Sequence, residues 1–362
     1  MKKKTKVILT LLLILQLIGL RLLTYFPEAV ERYYSLGLYP LLSKIFRYVF
    51  GWVPFSVGDL FYLVLLFLAL RWLFFNLKTL RKKPISFFLS ITAVLCIGYA
   101  VFNVMWGFNY YRVPLHKTLQ LDSDYSTDEL LTVTKKLIDK ANNLHVKLTS
   151  SDSGVVEIPH EQHETFKLST NGYENLSDQF PTLAYRPKSI KKSGWSLGLT
   201  YMGYSGYYNP FTAEAQVNNK IDSYLFPVVV CHEEAHQLGY AAENEANFLA
   251  FLATSHNEDV YMQYAGTLFA LRYCVNELAR QDKALYDEVI EGVHPGVLKA
   301  YKDMRDFWNS YYTPLEDVSK LFFDTFLKAN NQSRGIKSYS YMVALVVNYD
   351  KKYPAVLASD ND

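Results

Sequence analysis

The chain has 362 residues, of which 50% are hydrophobic, 16% aromatic and 20% charged. Its 37 basic and 35 acidic residues leave a net charge of +2, so no basic excess points to nucleic acid. Three cysteines cannot staple so long a chain, and a mean hydropathy of −0.01 falls between a soluble enzyme and a polytopic transporter. The composition predicts a membrane part joined to a water-soluble part.

The membrane part comes first. Lys2, Lys3, Lys4 and Lys6 precede the first of three apolar runs. Transmembrane helices are expected at 7–26, 58–76 and 85–107, each near the roughly 20 residues that cross a bilayer. Arg21 and Tyr25-Phe26-Pro27 stand where a signal peptide would carry a small-residue cleavage site. Lys78, Arg81, Lys82 and Lys83 fill the loop between the second and third runs. With the N-terminal lysines they place that end in the cytoplasm and everything after Phe108 outside. Residues 36–53, with Lys44 and Arg47, are expected to form an interfacial helix. Residues 1–108 thus read as a membrane region whose partner is the lipid bilayer. A transporter is disfavoured, because the spans lack paired acidic residues.

Residues 109–362 read as an extracytoplasmic domain. Ser126-Thr-Asp-Glu129 is a capping box that starts a helix running to about His145. The polar stretch 147–172 is expected to be loop plus a short helix. Residues 182–219, rich in Gly and Tyr, read as two short strands or extended segments. From Tyr224 the pattern is helical, with apolar-periodic runs at 243–255, 258–281, 294–311, 315–329 and 338–350. The fold class is mainly α (α+β), with a small β element. Cys231 lies in an apolar helical run and is expected to be a buried thiol.

His232-Glu233-Glu234-Ala235-His236 is the motif that carries chemistry. In a helix, residues four apart share a face about 6 Å apart, so two imidazoles grip one zinc ion. Glu233 is placed to act as a general base on water there, whereas Glu234 reads as an exposed helix carboxylate. Gly239 is a helix stop. A second helix opens with Glu243 and Glu245, and a carboxylate in its first turn faces back toward the histidines. Three protein ligands leave a position open for water, the catalytic rather than structural zinc arrangement.

The segment 232–248 resembles the zincin metallopeptidases. Glu243-x-x-Ala246-Asn247 looks like the segment in which many gluzincins present their third ligand. The whole chain resembles an uncharacterised family of bacterial membrane proteins, with three N-terminal spans and then a zincin-like domain. The connection departs from thermolysin-type enzymes, where the third ligand is much farther along the chain. It is closer to the metzincin spacing, whose Gly matches Gly239 but whose third-ligand position is Ala242 here. The third ligand is therefore Glu243 or Glu245. The resemblance favours Glu243, with Asn247 one turn on as the supporting partner of a zinc-bound histidine.

The resemblance implies a membrane-anchored zinc peptidase acting on extracytoplasmic peptides or proteins, with Glu233 as catalytic base and His232, His236 and Glu243 as ligands. The rival reading is a non-catalytic membrane protein whose zincin-like domain is a binding or assembly module. Tyr207 to Thr212 stands where a zincin keeps the edge strand that pairs with substrate, or is an aromatic-rich core strand. Tyr339 is the candidate for stabilising the oxyanion. His160-Glu-Gln-His163-Glu164 is metal-like only in composition, because its histidines are three apart in a polar segment. His116, His145, His256 and His294 are expected to be surface or structural.

Overall fold

The structure is a computed structural model that describes residues 1–149, 154–332 and 341–357. Among the described residues, three helices are long and apolar enough to cross a membrane: α1 (Lys3–Leu23), α4 (Val57–Lys82) and α5 (Pro84–Met105). They fall where the spans are expected. However, α4 runs on through Lys78, Arg81 and Lys82, so the turn before Pro84 is at Lys83. Polar pairs align α1 parallel to α5. Lys6 Nζ donates to Ser90 Oγ at 2.6 Å, the Thr10 and Thr92 hydroxyls meet at 2.6 Å, and Gln16 Nε2 reaches the Cys96 carbonyl at 3.3 Å. Such pairs fix register where apolar packing alone does not. They put the N-terminal lysines and the Lys83 turn at one end of the bundle.

Between the first two spans lie α2 (Pro27–Val30), a π-helical stretch over Glu31–Leu38, and α3 (Tyr39–Gly51). The helix expected to lie in the interface is present, but its polar side is buried in protein. Tyr39, Ser43 and Arg47 are all inaccessible, and Arg47 Nη1 donates to the Pro187 carbonyl at 3.0 Å.

Beyond the spans come α6 (Leu115–Thr118), α7 (Thr127–Leu148) and α8 (Gln162–Gln179). The Ser126–Glu129 capping box starts α7, whose Leu130, Val133, Leu137, Ile138 and Ala141 form the buried stripe. α8 is longer than the short helix expected, because a second capping box, Glu161 with Glu164, starts it. The β element is three strands: β1 (Ile190–Lys192), β2 (Gly206–Asn209) and β3 (Glu214–Val217), in the order β1-β3-β2. β1 runs parallel and β2 antiparallel to β3, with Ile190 and Tyr208 both opposite Ala215. Between β1 and β2, part of the segment expected to be extended is instead α9 (Ser196–Tyr201). Ser193 Oγ accepts from the Trp195 amide at its start.

The remaining helices are α10 (Leu225–Gln237), α11 (Glu243–Ser255), α12 (Val260–Gln281), α13 (Lys283–Ile290), α14 (Pro295–Tyr311), α15 (Pro314–Ala329) and α16 (Tyr341–Lys352). The main core joins α7, α8, α10, α11, α12 and α16. α8 comes so near α11 that a side chain at Gly172 would strike the Ala253 carbonyl. A second, aromatic core (Tyr34, Tyr39, Trp106, Tyr110, Tyr208 and Leu327) lies between the span ends and α10.

The sheet is fastened to the start of α4. Glu214 accepts from the amides of Val57 and Gly58, the free donors of a helix N-terminus. Asp59 accepts from the Gly194 amide at 2.6 Å, from Ser193 Oγ at 3.1 Å and from the Tyr207 hydroxyl. An apolar span and a polar sheet are thereby held as one frame.

Candidate metal centre

Helix α10 contains Val228-Val229-Val230, a run of low helix propensity. Burial on every side compensates: Val230 and Cys231 are fully inaccessible, and the Tyr173 hydroxyl donates to the Cys231 carbonyl at 2.6 Å. Cys231 is a free buried thiol, as expected. The helical spacing brings the His232 and His236 rings to 4.6 Å between centroids.

Gly239 ends this segment at φ +89°, a conformation that penalises any side chain. A Cβ there would also stand 2.8 Å from the Tyr39 ring. The turn returns the Tyr240 carbonyl to His236 Nδ1 at 2.7 Å. Nδ1–H donates to it, which fixes the tautomer and leaves Nε2 with a lone pair. Burial pushes His236 down to about 4 and keeps the ring neutral.

Glu243, the first residue of α11, faces both rings. Its Oε2 is 3.3 Å from His232 Nε2 and its Oε1 is 3.7 Å from His236 Nε2. One donor atom from each of the three residues lies within 4.8 Å of the others. Two ligands held about 2.05 Å from a zinc ion at the tetrahedral angle stand about 3.3 Å apart. The donor set, two imidazoles and a carboxylate, therefore fits zinc in chemistry and in spacing. Burial works against protonation of His232. Even so, the Glu243 carboxylate, helped by Glu233 and Asn247, carries its pKa above the usual value.

Glu245 points elsewhere. Its Oε1 accepts from the Leu115 amide at 2.6 Å, and burial pushes it up to about 7 against the pull of Leu115 and Arg112. Two residues apart on a helix is about 200°, so only one of the pair can face the histidines. Asn247, one turn beyond Glu243, lies beside His232, and its Nδ2 donates to the Tyr273 hydroxyl at 3.4 Å.

Glu233 lies beside this trio. It is 3% exposed, and its Oε2 has no hydrogen-bond partner. Burial raises it to about 8, with His232 opposing and Glu243 adding to the rise. Gly206 of β2 makes room for it, since a Cβ there would meet Glu233 Oε1 at 2.7 Å. Glu234 corrects the sequence reading, for it is fully buried rather than exposed. Ser169 Oγ donates to it at 2.9 Å, and burial pushes it up to about 8. Its helix has no solvent-facing side for it to occupy.

His232, Glu233, His236, Glu243 and Asn247 line one cavity of about 610 Å³, and Glu234 and Glu245 do not. Gly206, Tyr207 and Tyr208 of the edge strand β2 form one wall, and among the described residues nothing pairs with the strand's other edge. Tyr110, Tyr204, Arg272 and Tyr273 also line it, and sequence reasoning missed all four. Arg272 and Tyr273 had a signal: two polar residues interrupt the apolar run 268–275 of a buried helix. Tyr339 lies outside the described residues. His160 and His163 stand apart from the cavity, paired with Asp259 at 2.8 Å and Glu161 at 3.0 Å. His145 stacks on His294 at 4.2 Å, and His256 bonds within its own helix, both structural.

These features define a membrane protein carrying a His-Glu-x-x-His…Glu triad of zincin-like geometry in a mostly helical domain. Residues 34–347 match the family described as "Protein of unknown function (DUF3810)", and the chain belongs to that family. No curated protein and no solved structure matches the chain.

Proposed function

We propose that this protein is a membrane-anchored zinc peptidase that hydrolyses peptide bonds outside the cytoplasmic membrane. The observation that carries the reading is the buried, unpartnered carboxylate oxygen of Glu233, set beside the His232–His236–Glu243 trio in one cavity. A base with an oxygen to spare is what hydrolysis needs and what a structural metal site does not.

His232 and His236 would hold the ion through Nε2, and Glu243 through its carboxylate. Zinc in such a set acts as a Lewis acid toward a carbonyl and acidifies water. Glu233 takes a proton from the attacking water as the new C–O bond forms. It returns the proton to the amine nitrogen as the C–N bond breaks. The open edge of β2 offers backbone groups to an extended substrate. Arg272 and Tyr273 are donors on the same cavity, available to the developing oxyanion. Asn247 lies beside His232 as its supporting neighbour. The orientation rests on the basic residues at the end of the bundle opposite the domain.

The test is digestion of a peptide library by the full-length protein in detergent with zinc, read by mass spectrometry. Glu233→Gln should keep its zinc and lose about 10²- to 10⁴-fold in rate. Cleavage at the wild-type rate by a zinc-loaded Glu233→Gln protein would refute the mechanism. No cleavage by the wild type would favour a binding module.

A further inference from the structure

Helix α15 is apolar on two sides. Phe323 and Leu327 face the protein, and Phe326, 37% exposed, stands at the border of that side. The Phe326 ring lies 6.0 Å from Phe102 of α5 and 6.1 Å from Tyr110, and Leu327 is fully buried in the aromatic core. On another side Leu315, Val318, Leu321 and Phe322 are 52%, 51%, 67% and 73% exposed. Their positions describe an arc of about 120°. Lys320, Asp324 and Lys328 run along the remaining flank, Lys320 paired with the more buried Glu316 and Lys328 with Asp324. A helix with a wide apolar arc and charged flank, not long or apolar enough to span, is suited to lying in the plane of a membrane interface.

Its place in the fold fixes what the arc meets. Phe102 is in the last turn of α5, at the domain end of that span. The C-terminal end of α15, at Lys328 and Ala329, lines a small cleft with Arg21 of the last turn of α1 and with Tyr99 of α5. The C-terminal half of the helix thus lies against the ends of two spans.

We infer that the exposed face of α15 seats in the leaflet on the domain side, and that the metal cavity opens at the surface of that leaflet. The second half follows from the cavity walls. Phe323 and Phe326 of α15, Phe102 of α5 and Tyr62 of α4 all line it. Two contacts tie its polar rim to the same elements: the Tyr204 hydroxyl donates to the Ser319 carbonyl at 3.0 Å, and the Tyr62 ring packs 6.0 Å from Tyr207 of β2. One side of the cavity is thus walled by α15 and by the ends of two spans.

The occupant is lipid rather than a second protein because α15 lies at the ends of spans whose own exposed surface is apolar. Exposed Val101 and Val104 on α5 and Leu60 and Leu63 on α4 belong to helices long enough to cross the bilayer. The inference does not depend on catalysis. It is tested on the full-length protein in lipid nanodiscs, with nitroxide labels at Val318→Cys and Phe322→Cys and a control at Lys302→Cys. The native cysteines are buried. Labels at 318 and 322 should collide more readily with oxygen than with a water-soluble nickel chelate, and the label at 302 should show the reverse. Labels at 318 and 322 that behave like the one at 302 would overturn the inference. So would protection from both reagents, which would mean that protein covers the face.

Discussion

Two clusters of buried charge flank the turn at Gly239, and each takes one carboxylate from the first turn of α11. On one side Glu243 joins His232, His236 and Glu233 around the cavity. On the other, Glu245 lies near Arg112 and Glu31. The second cluster closes on itself. Arg112 grips Glu31 with two hydrogen bonds of 2.7 and 2.9 Å, donates to the Gly239 carbonyl at 3.0 Å, and lies 4.1 Å over the Tyr240 ring. The first cluster converges on a point in space, with one Glu233 oxygen left unpartnered. Buried charge that is fully paired holds structure, and buried charge aimed at a common point is arranged for a ligand. The two are coupled through the turn, since the Tyr240 carbonyl set by the Arg112 clamp is the acceptor that orients His236.

Breaking the closed cluster should have the largest effect on stability. Arg112→Met leaves Glu31 as an uncompensated buried carboxylate and should cost about 3–5 kcal/mol. Thermal unfolding of the full-length protein in detergent reads this as a lower apparent melting temperature. The control, Lys135→Met at the exposed pair with Glu288, should cost at most about 1 kcal/mol. Equal melting of Arg112→Met and wild type would mean that the clamp is dispensable.

A smaller effect sharpens the division of labour between the two carboxylates of α11. Glu243→Ala should weaken zinc binding beyond the roughly 10- to 100-fold that loss of a supporting partner costs. Glu245→Ala should stay within about 10-fold. Competition titration against a chromogenic chelator measures both, and the opposite ranking would exchange the ligand assignment.

The clustering of the candidate metal-site residues was legible because they are local. A four-residue spacing, a glycine stop and a carboxylate in the next first turn all fall within 232–247 and obey helix geometry. The spans and the α7 capping box were legible for the same reason. The frame was not. Tyr39 donates to the Gln237 carbonyl from 198 positions away in the chain, and Ser43 does so from 194. Asp59 and Glu214 fasten the sheet to a membrane helix across gaps of similar size. No periodicity records such pairs, so α3 read as a helix floating in the interface. Glu234 read as exposed because acidic residues usually are, and only the tertiary packing of α8 on α10 buries it. α9 read as extended because tyrosine favours strands and glycine weakens helices, whereas the turn at Ser193, whose Oγ accepts from the Trp195 amide, starts a helix there.

The central claim is that His232, His236 and Glu243 form a zinc site, and metal content tests it most directly. Full-length protein purified with zinc and freed of loose metal should carry about one zinc per chain by mass spectrometry. The His232→Ala/His236→Ala double variant, folded by circular dichroism, should carry none. A folded double variant that keeps full zinc stoichiometry would contradict the account.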